Sequence, residues 1–301
     1  MFNDDTGGGE HSGTGPKAAH GATATQRERG PPLAETGNMR RLAVLGLLAF
    51  VCACTTMDDL APSSPSRTGI AAGAPRFEDS KPHEWDAGAP WHYAVHGTDV
   101  SKYQRSIDWP AVKAGGISFA FVKATEGGDR VDTYFDEHWQ RTKAAGIPRA
   151  AYHFYYFCRP AAEQARWFIE NVPNDPAAMP PVLDMEWNPD SPSCKLRPPP
   201  ETVRSEMTVF LNMVERHYGK KPIIYTSIDF FDDNNLSTFR GYPYWLRSVA
   251  GHPNQRYGSH PFTFWQYTGT GVVPGITGDA DINVFNGSRA AWQKWLKHNT
   301  R

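Results

Sequence analysis

Eight short runs of apolar or aromatic residues recur through the second two thirds of the chain. They read "HYAVHGTDVS" (92–101), "ISFAFVKAT" (117–125), "PRAAYHFYYF" (148–157), "PPVLDMEW" (180–187), "KPIIYTS" (221–227), "YPYWLRS" (242–248), "FTFWQYTG" (262–269) and "DADINVF" (279–285). Their length and β-branched or aromatic content predict strands. Between several of them lie helical patterns. "DTYFDEHWQRTKAAG" places Phe135 and Trp139 at helical spacing and ends in Gly146, and "RPAAEQARWFIENV" follows the same logic. "PPPETVRSEMTVFLNMVERHYG" has Pro200 placed to open a helix and Gly219 to close it. Strands alternating with helices pair in parallel, so the expectation is an α/β fold, an irregular TIM-like β/α barrel of about eight mostly parallel strands. It has fewer helices than strands, because turns separate the last three strands. No internal repeat is visible.

The pattern upstream is different. Residues 1–38 are rich in Gly, Thr and Ala and poor in large apolar side chains, which cannot offset the entropy of ordering. They are expected to be disordered or untranslated. From Met39 the chain reads "MRRLAVLGLLAFVCAC": Arg40 and Arg41 give a positive start, and Leu42 to Ala53 an apolar stretch too short to span a bilayer. That is an export signal over residues 39–54. Its end, Val51 to Cys54, resembles a lipobox, with Cys54 as the lipidated first residue of the mature chain. An ordinary cleaved signal with incidental cysteines is the alternative. Residues 55–88, rich in Ser, Pro, Ala and Gly, read as a flexible linker, and residues 89–301 as the folded domain.

Export changes the reading of the four cysteines. With Cys52 and Cys54 in the signal, Cys158 and Cys194 remain as an even pair in an oxidising compartment, where a disulfide is the default. Two unpaired thiols are the alternative. The composition, with 40% hydrophobic and 13% aromatic residues in 301, supports a sizeable core. A net charge of -1 excludes the basic surface that a nucleic-acid partner requires.

Candidate chemistry centres on "PPVLDMEW". Alternation along a strand sends Asp184 and Glu186 to one face and Leu183 and Met185 to the other. In a barrel, catalytic residues sit at the C-terminal ends of strands, which is where this pair falls in its run. Asp99, in the first run, and Asp281, in the last, occupy equivalent places. Each acid alone has a structural explanation, such as a loop cap or an ion pair. Four acids converging on one rim point instead to carboxylate acid/base catalysis, in which like charges separate a protonated acid from an ionised partner. Cleavage of a glycosidic bond needs that combination. Tyr103, Tyr152, Tyr155, Tyr225, Trp187, Trp265 and Tyr267 are aromatic candidates for sugar-groove walls. Tyr152, Tyr225 and Trp265 are selected, with Gln266 as a hydrogen-bond donor. His96 and His153 lack a second His or Cys at ligand spacing, so they read as structural. No metal and no cofactor are expected.

The runs "HGTDVSKYQRSIDW", "FAFVKATEG", "AAYHFYYF", "PVLDMEW", "IIYTS", "YWLRS", "FWQYTGTG" and "DADINVFNG", in that order, resemble the family 25 glycoside hydrolases, the Chalaropsis-type lysozymes, over roughly residues 92–298. The resemblance implies an N-acetylmuramidase (lysozyme) that cuts the β-1,4 bond between N-acetylmuramic acid and N-acetylglucosamine in peptidoglycan. On that reading Glu186 is the general acid. Asp184 supports the substrate's acetamido group or the positive centre, and Asp99 and Asp281 tune the pair. Peptidoglycan strands are then the partner. The protein is expected to be a monomer, either lipid-anchored to the outer membrane facing the periplasm or periplasmic or secreted. Attack by the substrate's own acetamide oxygen and attack by water both remain open. The insert "NPDSPSCKLRPPP" and the lipoprotein-like start depart from the family pattern. The alternatives are a non-catalytic glycan-binding envelope lipoprotein, an anchoring envelope protein, and a chitin-directed glycosidase. The last is weakened by Pro180 and Pro181, which stand where its longer acidic run belongs.

Overall fold

The structure is a computed structural model that describes residues 73–85 and 88–300. The expected extension 1–38, the signal 39–54 with Cys54, and most of the expected linker lie outside the described residues.

Ten strands form one sheet: β1 (Glu78–Asp79), β2 (His96–Val100), β3 (Ile117–Glu126), β4 (Arg130–Val131), β5 (Arg149–Phe154), β6 (Val182–Met185), β7 (Ile223–Thr226), β8 (Tyr244–Arg247), β9 (Phe264–Val272) and β10 (Ala280–Phe285). The eight expected runs are the eight strands of a closed barrel, in the order β2, β3, β5, β6, β7, β8, β9, β10. Pairing is parallel from β2 to β9. β10 runs antiparallel to both β9 and β2 and closes the ring. This is the irregular α/β barrel expected from the pattern. A single reversed strand is possible because only a turn, not a crossover helix, joins β9 to β10.

The helices are α1 (Trp109–Ala114), α2 (Phe135–Ala144), α3 (Ala161–Asn171), α4 (Pro200–Tyr218), α5 (Ile228–Asp233), α6 (Pro253–Arg256) and α7 (Arg289–Asn299). α4 begins at Pro200 and stops at Gly219, whose φ of 65° supplies the left-handed C-cap. Gly146, at φ 66°, closes α2 in the same way.

Alternation sorts the side chains into two cores. Leu183, Met185, Ile224, Leu246, Ile282 and Val284 face outward into the layer under the helices. Phe119, Phe121, Val182, Ile223, Trp245, Phe264 and Phe285 fill the barrel interior, and Trp292 of α7 packs beneath them. Gly97 is required where β2 passes this cluster, since a Cβ there would lie 2.3–2.5 Å from the Phe119 ring.

The folded part begins earlier than residue 89. β1 pairs with the edge of β9, and the Thr268 and Thr270 hydroxyls donate to the Asp79 carboxylate. Trp85 packs edge-on against Trp265. The stretch 73–85 is therefore a strap on the barrel wall and not free linker. Asp79 and the Ser80 backbone N–H are satisfied by β9, through Thr268 and Thr270.

Candidate active site

Moving up the barrel from its aromatic floor, the next inward position on five of the strands is charged or an amide. Asp99 follows Gly97 on β2, Lys123 follows Phe121 on β3, Asp184 follows Val182 on β6, Arg247 follows Trp245 on β8 and Gln266 follows Phe264 on β9. Glu186 continues the inward row just past β6. Because β10 is reversed, its beginning, at Asp281, lies at the rim reached by the ends of the parallel strands, and Asp281 sits directly opposite Asp99. The structure thus brings Asp99, Asp184, Glu186 and Asp281 into one electrostatically coupled group.

Among the described residues, side-chain hydrogen bonds fix only one of the four. Asn283 Nδ2 donates to Asp99 Oδ2 at 2.7 Å, and Gln266 Nε2 reaches the same carboxylate at 3.0 and 3.2 Å. These donors are held from behind: Trp245 Nε1 donates to Asn283 Oδ1 at 2.7 Å, and the Tyr225 hydroxyl donates to Gln266 Oε1 at 2.9 Å. Asp184 is buried, yet its Oδ1 has no hydrogen-bond partner among the described residues. A buried acceptor without a donor is costly.

Electrostatics follow from that burial. Desolvation raises Glu186 to about 7; the Arg247 and Lys123 cations oppose it, while the Asp229 and Asp99 carboxylates add to it. Desolvation raises Asp99 to about 6, opposed by the amide donors of Asn283 and Gln266 and by Arg247. Asp184 is held well above the ordinary carboxylate range, by burial first and then by Glu186 and Asp99. Asp281 is raised by burial and by Asp99. Burial therefore pushes Asp184 as well as Glu186 toward the protonated form, and a donor to Asp184 would favour its charged form.

Of the selected groove residues, Tyr152 and Tyr225 lie inside the barrel beside the carboxylates, and Gln266 contacts Asp99. Trp265 does not belong with them. It alternates outward, is fully buried, donates from Nε1 to the Ser248 carbonyl at 2.8 Å, and is enclosed by Trp85, Tyr93, His252 and Tyr267. It is core. Among the wider candidates, Tyr155 and Tyr267 also face outward, on Glu206 and His96, and Tyr103 is exposed. Trp187 packs at 4.6 Å on Phe230, with the Arg197 guanidinium 4.9 Å over its ring. His96 and His153 are structural: both are buried and fully bonded, and desolvation lowers them to about 4 and about 3. Trp245, Asn283, Lys123 and Arg247 escaped the reading of the sequence. Their signal was the same two-residue alternation that singled out Asp184 and Glu186, but none of them is an acid, so nothing drew attention to them.

Cys158 and Cys194 form the expected disulfide, with Cα atoms 5.8 Å apart. It ties the loop after β5 to the insert that begins beyond Glu186. A crevice between the two is lined by Tyr156, Phe157, Glu186, Trp187 and Arg197.

A closed barrel with an aromatic floor and four carboxylates gathered at its rim has the architecture of a glycoside hydrolase. The chain belongs to glycosyl hydrolases family 25, whose profile matches residues 98–276. It is 39% identical over 207 residues to the uncharacterized protein YegX of Escherichia coli, covering 66% of this chain and 72% of that one. Lysozyme M1 of Streptomyces globisporus is 31% identical over 288 residues, covering 86% of this chain and 95% of the lysozyme. Among solved structures, a family 25 glycosyl hydrolase from Bacillus anthracis superposes with a TM-score of 0.64 at 35% identity, covering 71% of this chain and 98% of that one.

Proposed function

We propose that the protein is a peptidoglycan hydrolase, an N-acetylmuramidase that cleaves the β-1,4 bond following N-acetylmuramic acid. The observation that carries the reading is Glu186, raised by burial to about 7, beside three further carboxylates at the rim of a family 25 barrel. At neutral pH a large fraction of Glu186 keeps its proton, which it donates to the leaving glycosidic oxygen. The neighbouring carboxylates supply the negative field that an oxocarbenium-like transition state requires.

Asp184 Oδ1 accepts the acetamido N–H of the N-acetylated sugar. That bond stabilises the charged form of Asp184 and orients the acetamide oxygen toward the anomeric carbon. Asp99, held by Asn283 and Gln266, and Asp281, across from it, tune the pair. Tyr152 and Tyr225 form the apolar walls of the sugar site.

The described relatives include lysozymes, which supports an exported enzyme acting on the cell wall. The finer address, lipid on Cys54 and retention at the outer membrane, rests on the lipobox resemblance at Val51 to Cys54. Cys54→Ala is expected to move the protein from the membrane to the soluble fraction. A wild-type protein that is already soluble, with a different N-terminus, contradicts the anchor.

Mass spectrometry of fragments released from purified peptidoglycan tests the activity. Fragments with muramic acid at the reducing end are expected. N-acetylglucosamine at the reducing end, or release from chitin alone, contradicts the assignment. A glycan-binding protein without catalysis would release nothing, and the complete carboxylate set counts against it.

A further inference from the structure

β8 reads Tyr-Trp-Leu-Arg, and its alternation sends Tyr244 and Leu246 into the outer core and Trp245 into the barrel. Arg247 is therefore the next inward residue, and it is exposed at the rim. The backbone of Arg247 and of Ser248 after it is anchored at three points. The Tyr257 hydroxyl donates to the Arg247 carbonyl at 2.5 Å, Ser248 N donates to the Gln266 carbonyl at 3.0 Å, and Trp265 Nε1 donates to the Ser248 carbonyl. Arg247 pairs in register with Gln266, the residue that donates to Asp99. The side chain thus starts from a rigid point next to the acid cluster.

Its guanidinium nevertheless makes no hydrogen bond or ion pair with any described residue, although it lies close enough to influence Asp99, Glu186 and Asp281. The other inward cation of the rim behaves differently. Lys123 is bound to Glu126 at 2.7 Å and covers the Phe154 ring. Lys123 is occupied within the fold, whereas Arg247 is exposed at the rim and its planar donor fork is unengaged among the described residues. A planar fork of that kind matches a carboxylate in two parallel hydrogen bonds.

Within the proposed reading as a peptidoglycan hydrolase, we infer that Arg247 binds a carboxylate of the stem peptide that muramic acid carries on its lactyl ether, and so makes the enzyme selective for peptide-bearing glycan. In peptide-bearing glycan the sugars themselves are neutral, because the lactyl carboxyl of muramic acid is held in the amide to the peptide, and a substrate such as chitin offers this arginine no anion. The stem peptide carries free carboxylates on the muramoyl side of the scissile bond, next to the acids that cut it. Arg247 is on this account a specificity-determining residue and not a group that transfers a proton.

The test compares two soluble substrates, peptide-bearing glycan strands and the same strands stripped of peptide by an amidase and then amidated at the lactyl carboxyl that the amidase exposes, and takes kcat/KM from the reducing ends released. Wild type is expected to favour the peptide-bearing strands. In Arg247→Ala that preference falls about tenfold, the scale of one charge-assisted hydrogen-bonded contact, mainly through KM. Arg247→Lys keeps the positive charge, and with it the pH profile that the cation imposes on Glu186, but recovers only part of the preference. An Arg247→Ala enzyme with the wild-type preference overturns the inference, as does a loss that is equal on both substrates. If wild type releases no reducing ends from either substrate, the hydrolase reading itself has failed, which is a different result.

Discussion

Asp281 stands directly across the antiparallel β10–β2 pair from Asp99, carboxylate beside carboxylate at the rim of the barrel. Only Asp99 is held by amide donors, from Asn283 and Gln266. Asp99 ionises most readily of the two, and its charge pushes Asp281 further up. Asn283→Ala is expected to raise Asp99 from its value of about 6, because the charged form loses its shortest hydrogen bond. If the reaction requires ionised Asp99, the acid limb of the activity profile moves to higher pH. A pH–rate profile for Asn283→Ala identical to wild type rules out Asp99 as the tuning group. The variant also strands the Trp245 N–H, so a loss of about 1–3 kcal/mol in urea unfolding accompanies it.

Asp184 links the site to stability. Its folded-state pKa lies above the unfolded value, so it stabilises the fold fully below the unfolded pKa near 4, and that contribution is lost as pH rises toward the folded value. Asp184→Asn removes the titration. Its melting temperature is expected to match wild type near pH 4 and to exceed it by a growing margin toward neutrality. The slope is at most about 1.4 kcal/mol per pH unit, while activity falls about 100-fold or more. A margin that does not change with pH contradicts the burial of an ionisable Asp184. The buried histidines His96 and His153, lowered by desolvation, titrate in the opposite sense in both proteins and cancel in the comparison.

The disulfide closes a separation of 36 residues, which in the chain-entropy account stabilises by about 3–4 kcal/mol. Thiol titration of denatured, unreduced mature protein is expected to find neither Cys158 nor Cys194 reactive. The double variant Cys158→Ser with Cys194→Ser should melt lower and bind substrate more weakly, with a smaller change in kcat. Two reactive thiols, or an unchanged melting temperature, contradict a structural bridge.

Much of this architecture was legible in the chain because alternation, helix caps and the position of acids at run ends are local signals. Leu183 and Met185 outward, Asp184 and Glu186 inward, follows from a period of two alone, as does the helix from Pro200 to Gly219. Trp265 misled for an instructive reason: a tryptophan beside an inward glutamine reads as a groove wall until the same alternation is applied to it, which turns it outward into the core. The strap at 73–85 was hidden because its contacts with Thr268, Thr270 and Trp265 are distant in sequence and its own composition resembles a linker. Arg247 and Asn283 fall within the runs "YWLRS" and "DADINVFNG", but nothing in either run marks them as site residues, and their importance lies in the side chains they face. The coupled raising of Asp184 with Glu186 depends on depth in the barrel, which a spacing does not contain.

The central claim is that Glu186 donates the proton that breaks the glycosidic bond. Glu186→Gln keeps the size of the side chain and removes that proton, so the direct measurement is the rate of reducing-end release from purified peptidoglycan by this variant and by wild type across pH 5 to 8. Wild type is expected to lose activity as pH rises through about 7, where Glu186 deprotonates. The folded variant is expected to be slower by about 100-fold or more at the wild-type optimum, with that alkaline limb gone. A Glu186→Gln enzyme that retains near-normal rates contradicts the account.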